Sequence, residues 1–113
     1  GAEGLLQVTR SLGDRAHHVG GCLLATPDVR TVDRGDDAAF LVVASDGLWH
    51  VHDERSACAF VAAKLGALGD DAAPEAVAAA ARDLAADAKR RAADSRDVSN
   101  DDVTVVVVVL QAP

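Results

Sequence analysis

Carboxylates at the ends of strand-like runs are the residues of this sequence best placed to do chemistry. Asp46 follows the apolar run Phe40–Ala44 within the triplet Ser45-Asp46-Gly47, and Asp101-Asp102 precede the valine-rich run Val103–Leu110. If the two runs are neighbouring antiparallel strands, the end of one and the start of the other share a sheet edge, and Asp46 meets Asp101. Two close ionised carboxylates repel each other and are stabilised by a hard divalent cation such as Mg²⁺ or Mn²⁺, which takes oxygen ligands and keeps water. That arrangement suits metal-assisted hydrolysis. Adjacent aspartates alone mean little, because Asp36-Asp37 and Asp70-Asp71 fall in plain turns or loops. On its own, the triplet Ser45-Asp46-Gly47 reads as a turn without chemistry, its Gly suited to a sharp bend.

Other candidate ligands are weaker. His50 and His52 lie two apart and would share a face of an extended chain, as a transition-metal site requires, but they flank a helix start and are expected at the surface. His17-His18 read as loop. Cys22 and Cys58 have no partner at zinc-ligand spacing and read as ordinary reduced residues. The acidic stretch Asp94–Asp102 fails as a calcium loop of EF-hand type, lacking glycine at the sixth position and glutamate at the twelfth.

Several elements must hold these groups. Phe40–Ala44 and Val103–Leu110 are short apolar runs rich in β-branched residues, which predicts strands buried on both faces. Leu6 and Val8 alternate with polar residues as in a half-buried strand, and Ser11–Asp14 supplies a turn. Arg15–Ala25, with its Gly20-Gly21 pair, is expected as loop. Val29, Thr31 and Val32 suggest a short strand that the polar turn Arg34–Asp37 would join to Phe40–Ala44 as an antiparallel hairpin. Asp53 stands where a helix N-cap should be. After it, Ala57, Phe60, Val61, Lys64, Leu65 and Leu68 recur at helical spacing. A second helix is expected from Pro74, with Val77, Ala81, Leu84 and Ala88 as its inner stripe.

At 113 residues the chain is one domain at most, and its formal charge of −7 argues against a nucleic-acid surface. No apolar run reaches the ~20 residues that span a membrane, and no stretch resembles a signal peptide. A soluble intracellular protein, cytoplasmic or nuclear, is the expectation. The first residue is Gly1 and the chain contains no Met, which suggests a fragment or processed product.

Four blocks of this sequence, in order, resemble the C-terminal half of the metal-dependent protein serine/threonine phosphatases of type 2C, the PPM-type class. They are GLLQVTRSLGD at Gly4–Asp14, TPDVRTV at Thr26–Val32, FLVVASDGLWHV at Phe40–Val51, and NDDVTVVVVVL at Asn100–Leu110. The resemblance implies an α+β fold, part of an α-β-β-α sandwich with antiparallel sheets flanked by helices. Residues 1–113 would be the C-terminal portion of one domain whose N-terminal half is absent. It further implies hydrolysis of phosphoserine and phosphothreonine in phosphoprotein substrates by a metal-activated water at a centre of two Mg²⁺ or Mn²⁺ ions.

Carried onto this chain, the resemblance makes Asp46 and Asp101 metal ligands. Arg10, Gly13 and Asp14 would shape a nearby loop. Asp102, which stands where the family usually has Asn, and His50, where it often has Asp, are secondary metal candidates. The family's D-G-H-G-G block and its other metal ligands are not in this sequence, so the isolated chain is expected to be inactive. A non-catalytic phosphatase-like regulatory or binding module, or an inactive truncated fragment, is the alternative reading.

Overall fold

The computed structural model describes residues 8–18, 20–33, 39–66, 72–95 and 101–110. The chain divides into two compact units, Gly1–Asp33 and Arg34–Pro113.

The second unit carries the regular structure. Strand β1 spans Phe40–Ala44 and passes through Ser45 into a single helical turn, α1, at Asp46–Trp49. Helix α2 follows at Glu54–Gly66, then helix α3 at Pro74–Asp94 and strand β2 at Val105–Val109. The two strands pair antiparallel, with Phe40 opposite Val109 and Ala44 opposite Val105. The end of β1 and the start of β2 therefore lie side by side, the arrangement of an α+β fold that the carboxylate pattern requires.

Local sequence explains the elements. Asp53 caps α2 by accepting from the Ser56 backbone N–H at 2.7 Å. Pro74 opens α3 at the position where its missing N–H costs nothing. Ala80, Leu84, Ala88 and Ala92 are the buried residues of α3, spaced four apart on one face. Leu48, Ala57, Val61, Leu84 and Ala88 form the buried core, with Phe40, Val42, Ala44, Val103, Val105 and Val107 packed against it. Three of the four buried positions of α3 are alanine, and the largest fully buried side chains among the described residues are Leu48, Leu84 and Val61. Leu68, expected on the inner face of α2, lies outside the described residues.

Three expectations are corrected. Thr26–Asp33 has no regular structure, Val29 and Val32 are exposed, and the partner of β1 is β2 rather than a local hairpin strand. The valine run, rich in β-branched residues, pairs with β1 over five consecutive positions. Neither strand is buried on both faces, because burial alternates along each. Leu41, Val43, Val106 and Val108 are 43–53% exposed, on the face turned away from the core. Finally, His52 is buried at 4% exposure rather than at the surface. Its Nδ1 meets Ser56 Oγ at 3.1 Å and its Nε2 meets Asp87 Oδ2 at 2.9 Å, so pairing offsets the cost of burial.

In the first unit the Ser11–Asp14 segment turns through Gly13 and Asp14, which have φ of 88° and 45°. The left-handed region they occupy is open to Gly and tolerated by Asp. The expected loop after it contains a short 3₁₀ turn at Arg15–His17, and a parallel bridge joins Arg10 to Leu24. The half-buried strand expected around Leu6 falls largely outside the described residues. Among the described residues no helix is long and apolar enough to cross a membrane.

Asp87 ties the second unit together. Arg91 Nε and Arg90 donate to its two oxygens at 2.7 and 2.9 Å, beside the bond to His52. Burial pushes its carboxyl up, but the bonds from Arg91, Arg90 and His52 outweigh burial and hold it below the usual carboxylate range. A carboxyl depressed in the folded state stabilises the protein above its unfolded value, about pH 4, and loses that contribution as pH falls through the folded value. We predict that Asp87→Ala lowers stability by about 1–3 kcal/mol at neutral pH by leaving buried His52 without its acceptor. The deficit should shrink as pH falls below about 4 and through the lower folded value, at which Asp87 protonates in the native chain as well. Urea unfolding at both pH values checks this, and matching midpoints at neutral pH would refute it.

Candidate metal centre

The site is built where α1 meets the chain entering β2. Ser45 stitches the two together: its N–H donates to Thr104 O at 3.0 Å, its Oγ donates to Asp102 O at 3.2 Å, and Oγ accepts from Thr104 N–H at 3.0 Å. Trp49 Nε1 donates to Ala44 O at 3.1 Å, folding α1 back against the strand it leaves. Leu48 is fully buried and anchors the turn in the core.

Gly47 sits in that turn without a positive φ, so its role is not the backbone freedom that a sharp turn would demand. A Cβ at this position would collide with the carbonyl oxygen of Asp102 and press on Val103 Cγ2. Glycine is needed for close approach of two chain segments.

The consequence is a cluster of three ligand-bearing side chains. Asp46, His50 and Asp101 each offer one donor atom, and these atoms lie within 4.8 Å of one another. His50 donates its backbone N–H to Asp46 O at 2.9 Å, one helical turn apart, which puts both side chains on the same side of α1. Asp101 approaches from the other segment, its Oδ2 3.7 Å from His50 Nδ1. Lys89 of α3 donates to the Asp101 carbonyl oxygen at 2.8 Å and so fixes the backbone that carries the carboxylate.

Asp102 is placed differently. Its side chain is fully exposed, with Oδ1 4.0 Å from Lys89 Nζ, while its carbonyl faces Ser45 and Gly47. It is not part of the cluster. Arg10 holds Thr26 O at 3.0 Å and the Asp28 carboxylate at 3.0 Å, and with Gly13 and Asp14 it shapes a loop in the first unit. His18 Nδ1 is taken by Leu23 O at 2.9 Å.

Donors bound to one small divalent ion at about 2.0–2.2 Å can stand up to roughly 4.3 Å apart. The cluster needs only slight side-chain adjustment to reach that, and two carboxylates with one imidazole form a chemically suitable donor set. The residues present therefore fit a divalent metal. The family resemblance makes His50 only a secondary candidate, because it stands where the family often has Asp. The signal for its place beside Asp46 was the spacing of four, which matters only once the segment is helical.

A family model described as Protein phosphatase 2C matches residues 2–95. The chain belongs to the protein phosphatase 2C family. It is 36% identical over 108 residues to a rice protein named "Probable protein phosphatase 2C 8" (Oryza sativa subsp. japonica), covering 96% of this chain and 26% of the relative. A second rice relative, "Probable protein phosphatase 2C 7", is 38% identical over 105 residues, covering 93% of this chain and 23% of that protein. "Protein phosphatase 2C homolog 1" of Saccharomyces cerevisiae is 38% identical over 58 residues, 51% of this chain and 20% of its own length. The chain thus spans about a quarter of the length of the curated relatives it matches. Members of the protein phosphatase 2C family are in general metal-dependent, and the family match ends at residue 95, before Asp101.

We predict that Gly47→Ala, by forcing the Asp102 segment away from α1, costs about 1–3 kcal/mol of stability and weakens Mn²⁺ binding about tenfold. Gly66→Ala is the control, because a Cβ there meets nothing within 4 Å, and it should be neutral or slightly stabilising. Thermal unfolding and Mn²⁺ calorimetry on both variants decide it; equal behaviour would show that the close approach at Gly47 is dispensable.

Proposed function

We propose that residues 1–113 are the C-terminal portion of a single phosphatase domain that hydrolyses phosphoserine and phosphothreonine in phosphoprotein substrates with the help of Mg²⁺ or Mn²⁺. Within it, Asp46 and Asp101 are metal ligands. The observation that carries this reading is the convergence of Asp46 and Asp101, from segments far apart in sequence, at one edge of a β-pair in a chain of a metal-dependent phosphatase family. The uncovered apolar face of Leu41, Val43, Val106 and Val108 supports the domain assignment, since a second layer of the same domain would bury it.

Bound divalent ions would supply the positive charge that activates water and offsets the charge of the phosphoryl group. The chain's own contribution is to hold two carboxylate oxygens at fixed separation. Asp46 rides on a turn anchored by Leu48, and Asp101 is held through its carbonyl by Lys89. Lys89 Nζ, 2.8 Å from the Asp101 carbonyl oxygen and 4.0 Å from Asp102 Oδ1, adds a positive charge at the edge of the site.

Two outcomes test the reading. The chain alone should show negligible Mn²⁺-dependent turnover of a phosphopeptide, because Asp46 and Asp101 supply only part of a two-metal shell. Substantial turnover would overturn the assignment as a portion of a domain. In a calorimetric Mn²⁺ titration, Asp46→Asn and Asp101→Asn should each weaken binding at least about tenfold. Asp102→Asn, which alters a carboxylate pointing into solvent, should bind like the native chain. A larger loss for Asp102→Asn than for Asp101→Asn would show the ligand assignment to be displaced by one residue.

A further inference from the structure

We propose that His50 binds the metal directly through Nδ1 and biases this centre toward Mn²⁺ and other nitrogen-accepting transition ions over Mg²⁺. The inference rests on the reading of Asp46 and Asp101 as metal ligands and adds a third donor with a consequence for ion choice.

The geometry points to a shared ion rather than a direct contact. His50 Nδ1 and Asp101 Oδ2 stand 3.7 Å apart, too far for a hydrogen bond and within the spacing of two donors on one ion. Both side chains are about half exposed, so an ion pair between them would contribute only about 0–1 kcal/mol and gives little reason to hold them together. Backbone structure nevertheless fixes His50 one turn after Asp46, on the side that faces Asp101.

Donor chemistry then decides the preference. Mg²⁺ favours oxygen ligands in near-ideal octahedral geometry and gives up water reluctantly. Imidazole nitrogen suits transition ions, whose affinities at mixed nitrogen and oxygen sites rise from Mn²⁺ toward Zn²⁺ and Cu²⁺. A neutral imidazole also leaves the donor set with two negative charges where a third carboxylate would make three. That lowers the electrostatic attraction on which a hard ion depends. An aspartate at position 50 would reverse both effects.

The test uses the 113-residue chain with Mn²⁺ or Mg²⁺ as the probe. Calorimetry gives the affinity for each ion, and pulsed electron paramagnetic resonance of bound Mn²⁺ reports a directly coordinated nitrogen. The native chain should show nitrogen coupling, His50→Asp and His50→Gln should lose it, and the Mn²⁺-to-Mg²⁺ affinity ratio should fall about tenfold or more in His50→Asp. Because His50 is exposed, both variants should keep the native far-ultraviolet circular dichroism. If Asp46→Asn loses the ion but the native chain shows no nitrogen coupling, or His50→Asp leaves the ratio unchanged, the inference fails while the carboxylate reading stands. If the native chain binds neither ion, or if Mn²⁺ binding is indifferent to Asp46→Asn, both fail.

Discussion

The carbonyl oxygen of Asp102 lies where any residue but glycine at position 47 would place its Cβ. That single close approach governs the distance between the turn carrying Asp46 and His50 and the segment carrying Asp101. Ser45 holds the approach in place, using its hydroxyl both as donor to Asp102 O and as acceptor from Thr104 N–H. Both partners of that hydroxyl are backbone groups, so the spacing depends on chain path rather than on flexible side chains. A site that must hold two like charges near each other gains from such rigidity, because the cost of their repulsion falls on the folded scaffold.

The rest of the second unit supports that contact. Leu48 plugs α1 into a core shared with Ala57, Val61, Leu84 and Ala88, so the turn cannot shift without disturbing both long helices. Helix α3 runs from this core to Lys89, which grips the carbonyl of Asp101. Fewer than two turns of α3 therefore contribute Leu84 and Ala88 to packing and Lys89 to the edge of the site. The same helix carries Asp87, which satisfies buried His52 at the entrance to α2. Packing and site geometry are coupled through a few consecutive residues.

How much of this the sequence disclosed depends on whether the controlling interaction was local. Strands at Phe40 and in the valine run, the Asp53 cap and the Pro74 start follow from short-range rules, and the structure agrees. The antiparallel meeting of β1 and β2 entered only as the condition under which Asp46 and Asp101 would meet, and the observed pairing meets that condition. Non-local effects were hidden. The rule of short hairpins favoured Val29–Val32 as the partner of β1, and no local feature revealed that a strand more than 60 residues away would take its place. Gly47 looked like a turn glycine because the atom it makes room for belongs to residue 102. The four blocks of family resemblance singled out Asp46, Asp101, Asp102 and His50 as candidates but carried no information on where Asp102 points.

The two histidines of the central segment show why a spacing has no meaning until the backbone is known. Read as extended chain, His50 and His52 share a face and form a plausible chelating pair. The backbone there is instead helical, with His50 N–H bonded to Asp46 O at 2.9 Å and His52 N–H to Leu48 O at 3.0 Å. Two residues in such a turn lie about 200° apart around the axis. His50 accordingly faces Asp101, while His52 is driven into the protein, where Ser56 and Asp87 occupy both ring nitrogens. With no lone pair left for a metal, His52 serves the scaffold. Any nitrogen ligand that α1 offers to the carboxylate cluster must therefore be His50, and its reach is set by the same turn that Gly47 allows to sit so close.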